Sequence, residues 1–109
     1  MLIYKVLRPA EWADMQANGQ TAGAPVDLAD GFVHFSTAAQ LQGTLDKHFH
    51  GAGDLMLLAC NAGMSGVVWE KSRGGQDFPH LYRALQMDDV IWSRPLPQGP
   101  GGHDPGELE

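Results

Sequence analysis

The sequence predicts an α+β fold, with two helices near the N-terminal half packed on a mostly antiparallel sheet of five or six short strands. Three observations predict it. Helical spacing of apolar residues occurs only near residues 9–18 and 37–49. Short runs rich in β-branched and aromatic residues, bounded by Gly, Pro, Asn and Asp, recur elsewhere in the chain. The length of 109 residues, with 43% hydrophobic and 18% charged residues, suits one globular domain with a modest core.

Leu2-Ile3-Tyr4-Lys5-Val6-Leu7 reads as the first strand, with Met1 as the initiator. Pro9 and Glu11 then open a helix whose buried stripe is Trp12 and Met15, and Asn18-Gly19 stops it. A loop runs through Gly23 and Pro25, and Asp27 to Gly31 is predicted to be a turn. Phe32 to Ser36 is predicted to be a strand that runs straight into a second helix. Thr37 and Gln40 fit a capping box for that helix, and Ala38, Leu41, Leu45 and Phe49 form its core face. Leu55 to Cys60 is continuously apolar, as expected of a central strand buried on both faces. Short strands are predicted at Val67–Glu70, Phe78–Tyr82 and Val90–Arg94, the last ended by Pro95 and Pro97. Met87 to Asp89 reads as a turn or a single helical turn. The domain is therefore drawn at residues 1–97. From Gln98 the glycine- and proline-rich chain is predicted to be a disordered tail, with Leu108-Glu109 reading as tag-linker sequence.

Composition removes several classes of function. A formal charge of −6 argues against a general nucleic-acid surface, while leaving room for a small phosphate-bearing ligand held by one or two arginines. The single Cys60 excludes an internal disulfide framework and a Cys-rich metal site. No apolar run is long enough to span a membrane, and the expected location is bacterial-type cytoplasm. Phosphate-loop, dinucleotide-fingerprint, zinc and nucleophile-elbow motifs are absent.

The candidate chemistry sits on two strands. Side chains alternate along a strand, so Phe32, His34 and Ser36 share one face, with Val33 and Phe35 on the apolar other. Phe78, His80 and Tyr82 repeat the pattern, and together the two strands are expected to present one pocket. The helix start beside His34 adds free backbone N–H groups that favour an anion. If Thr37 caps that helix, Ser36 is the hydroxyl more available to a ligand. Arg73, in Ser72-Arg73-Gly74-Gly75, offers a guanidinium to a phosphate. Glu70 is a candidate acid or base, with an ion pair to Arg73 as its favoured reading. His48 and His50 sit where a helix end takes capping residues, and His103 falls in the expected tail.

These blocks resemble the bacterial family known as domain of unknown function 952. The resemblance rests on Ile3-Tyr4-Lys5, on Asp27 through Thr37, on Trp69-Glu70 with Ser72 to Gly75, and on Phe78 to Tyr82. It implies an ADP-ribosyltransferase-like fold, related to RNA 2′-phosphotransferases, with a split sheet around a cleft for NAD or an ADP-ribosyl group. It implies catalytic roles for His34 and His80, ligand binding by Ser36, Thr37, Arg73 and Tyr82, and NAD as substrate with no metal. Active transferases of that fold add a late-strand glutamate. Here the late strand offers Asp88, Asp89 and Trp92 instead, which suits the phosphotransferase-like branch with its His and Arg residues. The expected function is a domain that binds a small nucleotide and transfers ADP-ribose. A catalytically inactive nucleotide-binding module is the first alternative. A metal-binding domain using His34, His80 and one of His48 or His50 is the second.

Overall fold

The computed structural model of the chain describes residues 1–108, apart from the side chain of Arg73. Strand β1 (Leu2–Leu7) shows how alternation sets the layers. Ile3 and Leu7 enter one core with Met15, Val33, Leu58 and Leu81. Tyr4 and Val6 enter a second core with Leu41, Leu45 and Leu57. Helix α1 (Pro9–Asn18) covers the first through buried Met15 and partly buried Trp12. It starts with the Arg8 N–H donating to Glu11 Oε1 at 2.8 Å and ends on left-handed Gly19, as the sequence signals require.

Strand β2 (Gln20–Thr21) leads to helix α2 (Pro25–Asp30), strand β3 (Val33–His34) and helix α3 (Ala38–His48), which closes the second core with Leu41 and Leu45. The predicted capping box is present. Gln40 N–H donates to Thr37 Oγ1 at 3.2 Å, and Thr37 N–H donates to Gln40 Oε1 at 3.0 Å. Strand β4 (Leu55–Asn61) lies between β1 and strand β8 (Val90–Leu96), antiparallel to both. Its residues feed both cores, Leu58 and Cys60 the first and Leu55, Leu57 and Ala59 the second, which explains its unbroken apolar sequence.

A second antiparallel sheet has the order β3, β6 (Asp77–Leu81), β5 (Val67–Lys71). The two sheets meet where Tyr4 and Ser36 exchange backbone hydrogen bonds of 2.8 and 2.9 Å. Strand β7 (Leu85–Gln86) pairs with β2, and Met87–Asp89 is a 3₁₀ turn. All named strand pairings are antiparallel.

Four local expectations are corrected. Asp27 to Gly31 belongs to a third helix rather than a turn. Pro25 stands at the first helical position of α2, and left-handed Gly31 ends it. Ladder pairing in the 32–36 stretch is confined to Val33 and His34, with Ser36 joined to β1 instead. Strand β8 runs through Pro95 to Leu96. It is a sheet edge, where a missing N–H costs no ladder bond. Finally, Gln98–Gly99 and Gly102–His103 form a hairpin, β9 and β10, in the segment expected to be a disordered tail. His103 is buried with Nε2 2.6 Å from the Gly53 carbonyl, Gln42 donates to the His103 carbonyl, and Leu108 packs on the second core. Among the described residues no helix is long and apolar enough to cross a membrane.

Candidate functional site

His34 and His80 are register partners across β3 and β6, so alternation puts both rings on the face opposite buried Val33 and Leu81. Their ring centroids are 5.2 Å apart. Phe32 stacks on His80 at 4.1 Å and lies 4.6 Å from His34 and 5.1 Å from Tyr82.

Each histidine is held at Nδ1 by a carboxylate. His34 Nδ1 lies 2.5 Å from Asp27 Oδ1, and that oxygen also accepts the His34 backbone N–H at 2.9 Å. The other oxygen, Oδ2, accepts from Lys5 Nζ at 2.7 Å and from the Ala24 N–H at 2.6 Å. Asp27 therefore caps its own helix while tying β1, α2 and β3 together, and it is fully buried. Burial alone would raise its pKa, but the His34 hydrogen bond, the Lys5 charge and the backbone donor together lower it from 3.8 to about 2. A depressed carboxylate contributes stability that is whole above its unfolded value and is lost as pH falls through the folded one. Unfolding free energy is thus expected to drop by about 2 kcal/mol more in the wild type than in Asp27→Asn between about pH 5 and pH 2. Urea titrations at stepped pH measure this, and equal slopes would refute it.

His80 is buried, with Nδ1 2.7 Å from Glu70 Oε1. Tyr82 donates its hydroxyl to the same oxygen at 2.6 Å. These two bonds, Tyr82 first and His80 second, lower the Glu70 pKa, and the bond to Glu70 raises that of Tyr82. A carboxylate on Nδ1 selects the tautomer that leaves a lone pair on Nε2. That Nε2 is buried and has no hydrogen-bond partner among the described residues.

A cavity of about 760 Å³ is lined by His34, Ser36 and His80, by Tyr4, Phe35, Phe49 and Phe78, and by exposed Arg8, Lys47 and His48. The Arg8 guanidinium lies 4.8 Å over the Phe49 ring. Its volume falls in the range of small-molecule sites.

The expected site residues are thus only partly gathered. His34, His80 and Ser36 line one cavity, as the two-strand argument predicts. Ser36 is buried and its hydroxyl pairs with that of Thr44 at 2.8 Å, so it is not the open hydroxyl expected. Thr37 is committed to its helix cap. Tyr82 is exposed and lines a separate cleft of about 260 Å³ with Phe32 and Arg83, linked to His80 through Glu70 and the Phe32 ring. Glu70 engages His80 and Tyr82, and the ion pair expected with Arg73 involves a side chain that lies outside the described residues. His48 stands in the last turn of α3, and His50 is exposed just beyond it. No three His, Cys, Asp or Glu side chains converge as a metal site among the described residues, so the three-histidine alternative has no centre to occupy. Cys60 is buried, and burial pushes its thiol up to about 12, far from nucleophilic use.

Sequence reasoning missed Asp27, Asp30 and the role of Lys5. A signal for them existed. Lys5 is the single charge in the apolar first strand, and a charge buried there needs a counter-ion.

The chain is similar to solved structures of protein CC0527 from Caulobacter crescentus. Its crystal structure matches with a TM-score of 0.90 at 44% identity, over 95% of this chain and 94% of that one. A double mutant of CC0527 matches at 0.89 and 42% identity over 95% and 94% of the two chains. Its solution structure matches at 0.83 and 46% identity over 94% and 90%. No curated protein matches the chain. The model of the family described as protein of unknown function DUF952 matches residues 6–93, a span that holds both histidines and both carboxylates that anchor them, and the chain belongs to that family.

Proposed function

We propose that the cavity binds a small anionic nucleotide, NAD or an ADP-ribosyl group, at the paired histidines. The observation that carries this reading is the placement of charge. In a chain with 7 Lys and Arg against 13 Asp and Glu, Arg8 and Lys47 both line the cavity beside the histidines, with Glu11 and Asp30, while Lys5 is neutralised by Asp27. Exposed Arg8 and Lys47 are the cavity's available phosphate partners. The aromatic walls suit a flat base, and His80 Nε2 leaves an acceptor open for a ligand hydroxyl or amide. The resemblance to ADP-ribosyltransferase-like proteins supports the same class of ligand.

In the transfer reading, the bond between C1″ of the ribose and the nicotinamide nitrogen breaks, and its electron pair leaves with neutral nicotinamide. The acceptor atom bonds to C1″ and gives its proton to His80 Nε2, with Glu70 holding the ring. A second reading, a binding module without turnover, is favoured by one observation. Glu70, the glutamate beside the histidines, comes from β5 and is already bonded to His80 and Tyr82, and β8 supplies none. Titration with NAD and ADP-ribose is expected to shift the His34 and His80 imidazole signals, and His34→Ala to weaken binding by about tenfold or more, the loss of one charge-assisted contact. Unchanged imidazole signals at millimolar ligand would end both readings. Nicotinamide release by the wild type would exclude the binding module.

A further inference from the structure

We infer that the anionic group of the ligand binds at Nε2 of His34 by displacing the carboxylate of Asp30, which makes Asp30 a built-in competitor for the site. The inference rests on the cavity being the nucleotide site and names where the ligand's charge goes. Three features of the His34 ring carry it. Its Nδ1 side is fixed, because Asp27 is fully buried and its two oxygens hold Lys5, His34 and two backbone N–H groups. Nothing entering the cavity can replace that contact without exposing a buried lysine. Its Nε2 side is held differently. Asp30 Oδ2 lies 3.0 Å away, and the Asp30 side chain is 47% exposed.

Asp30 is also free to leave. It is the last residue of α2, next to left-handed Gly31, and His34 is its only partner among the described residues. An exposed pair of this kind holds weakly. Asp30 and His34 both line the cavity, so an oxygen anion bound within it can reach the same nitrogen once Asp30 swings outward. A phosphate oxygen replaces the carboxylate oxygen as the anionic partner of the His34 ring. A neutral hydroxyl does not, since it would exchange a charge-assisted contact for a weaker one. His34 therefore selects for the charged part of the ligand, and the neighbouring His80 acceptor is left for an uncharged donor.

Removal of the competitor tests this. Asp30→Ala is expected to bind ADP-ribose and pyrophosphate about two- to fivefold more tightly than wild type, the fold-change that corresponds to an exposed ion pair, and adenosine unchanged. Glu11→Gln is the control, since Glu11 lines the same cavity and carries the same charge without touching His34. It is expected to give a smaller gain. Calorimetric titration at fixed salt gives the constants, and the His34 ring signals report contact. Equal ADP-ribose affinity in wild type and Asp30→Ala, or an equal gain from Glu11→Gln, overturns the competition and leaves the nucleotide reading standing. A gain for pyrophosphate without any ADP-ribose binding supports the anion position at His34 and overturns the nucleotide reading. Absence of binding by every probe overturns both.

Discussion

Asp27→Asn is expected to lower the unfolding free energy by about 3–5 kcal/mol at neutral pH, the usual cost of removing one partner from a buried ion pair. Asparagine keeps one acceptor oxygen, which can serve the Ala24 N–H or the His34 N–H but not both. What it removes is the counter-ion of Lys5, which is only 5% exposed. Lys5→Met alone strands the opposite charge and is expected to cost a similar amount. The double variant Lys5→Met/Asp27→Asn is expected to recover most of the loss, because neither charge is then isolated. Urea denaturation of the four proteins closes the cycle. Additive single effects would show that the pair is not what holds β1 to α2.

The second large effect is expected at a glycine. Gly23 has φ +103, and a Cβ built there would lie 2.2 Å from Asp27 Oδ2. That oxygen is pinned by the Lys5 ammonium and the Ala24 N–H, so it is not a flexible end that can yield. Gly23→Ala is therefore expected to displace the carboxylate, to cost about 3 kcal/mol or more, and to shift the His34 ring signals. Gly19→Ala separates backbone strain from collision. Gly19 is also left-handed, at φ +76, but has open space around its missing Cβ. It is expected to cost only about 1–2 kcal/mol and to leave His34 unmoved. Equal losses at both glycines would mean that the contact with Asp27 contributes nothing.

Much of the architecture was legible from local chemistry. The capping pair Thr37 and Gln40, the Asn18-Gly19 stop and the unbroken apolar run of β4 each state their structure within a few residues, and each is present. The errors have different causes. Asp27 to Gly31 looks like turn sequence, yet Pro25 at the first position and Asp27 as the cap of its own N-terminus make it a short helix. The segment after Gln98 has no apolar periodicity, and its hairpin depends on distant partners, Gly53 and Gln42. Ser36 reads as an open hydroxyl until Thr44, two turns into the next helix, is brought against it.

The same division runs through the site. Strand alternation alone put His34 and His80 on cavity-facing sides of two strands, because side-chain direction follows from backbone geometry and needs no knowledge of the fold. Antiparallel pairing then made them register partners, and only the folded chain could decide which groups hold them. Asp27 is separated from His34 by seven residues and from Lys5 by twenty-two, and Glu70 is ten residues from His80. Tyr82, assigned by alternation to the same pocket, lines a different cleft with Phe32 and Arg83. Sequence by itself thus determined which residues could carry chemistry and which elements present them. Tertiary structure decided their partners, their burial and the charge of the cavity, since those depend on which distant segments close around each side chain.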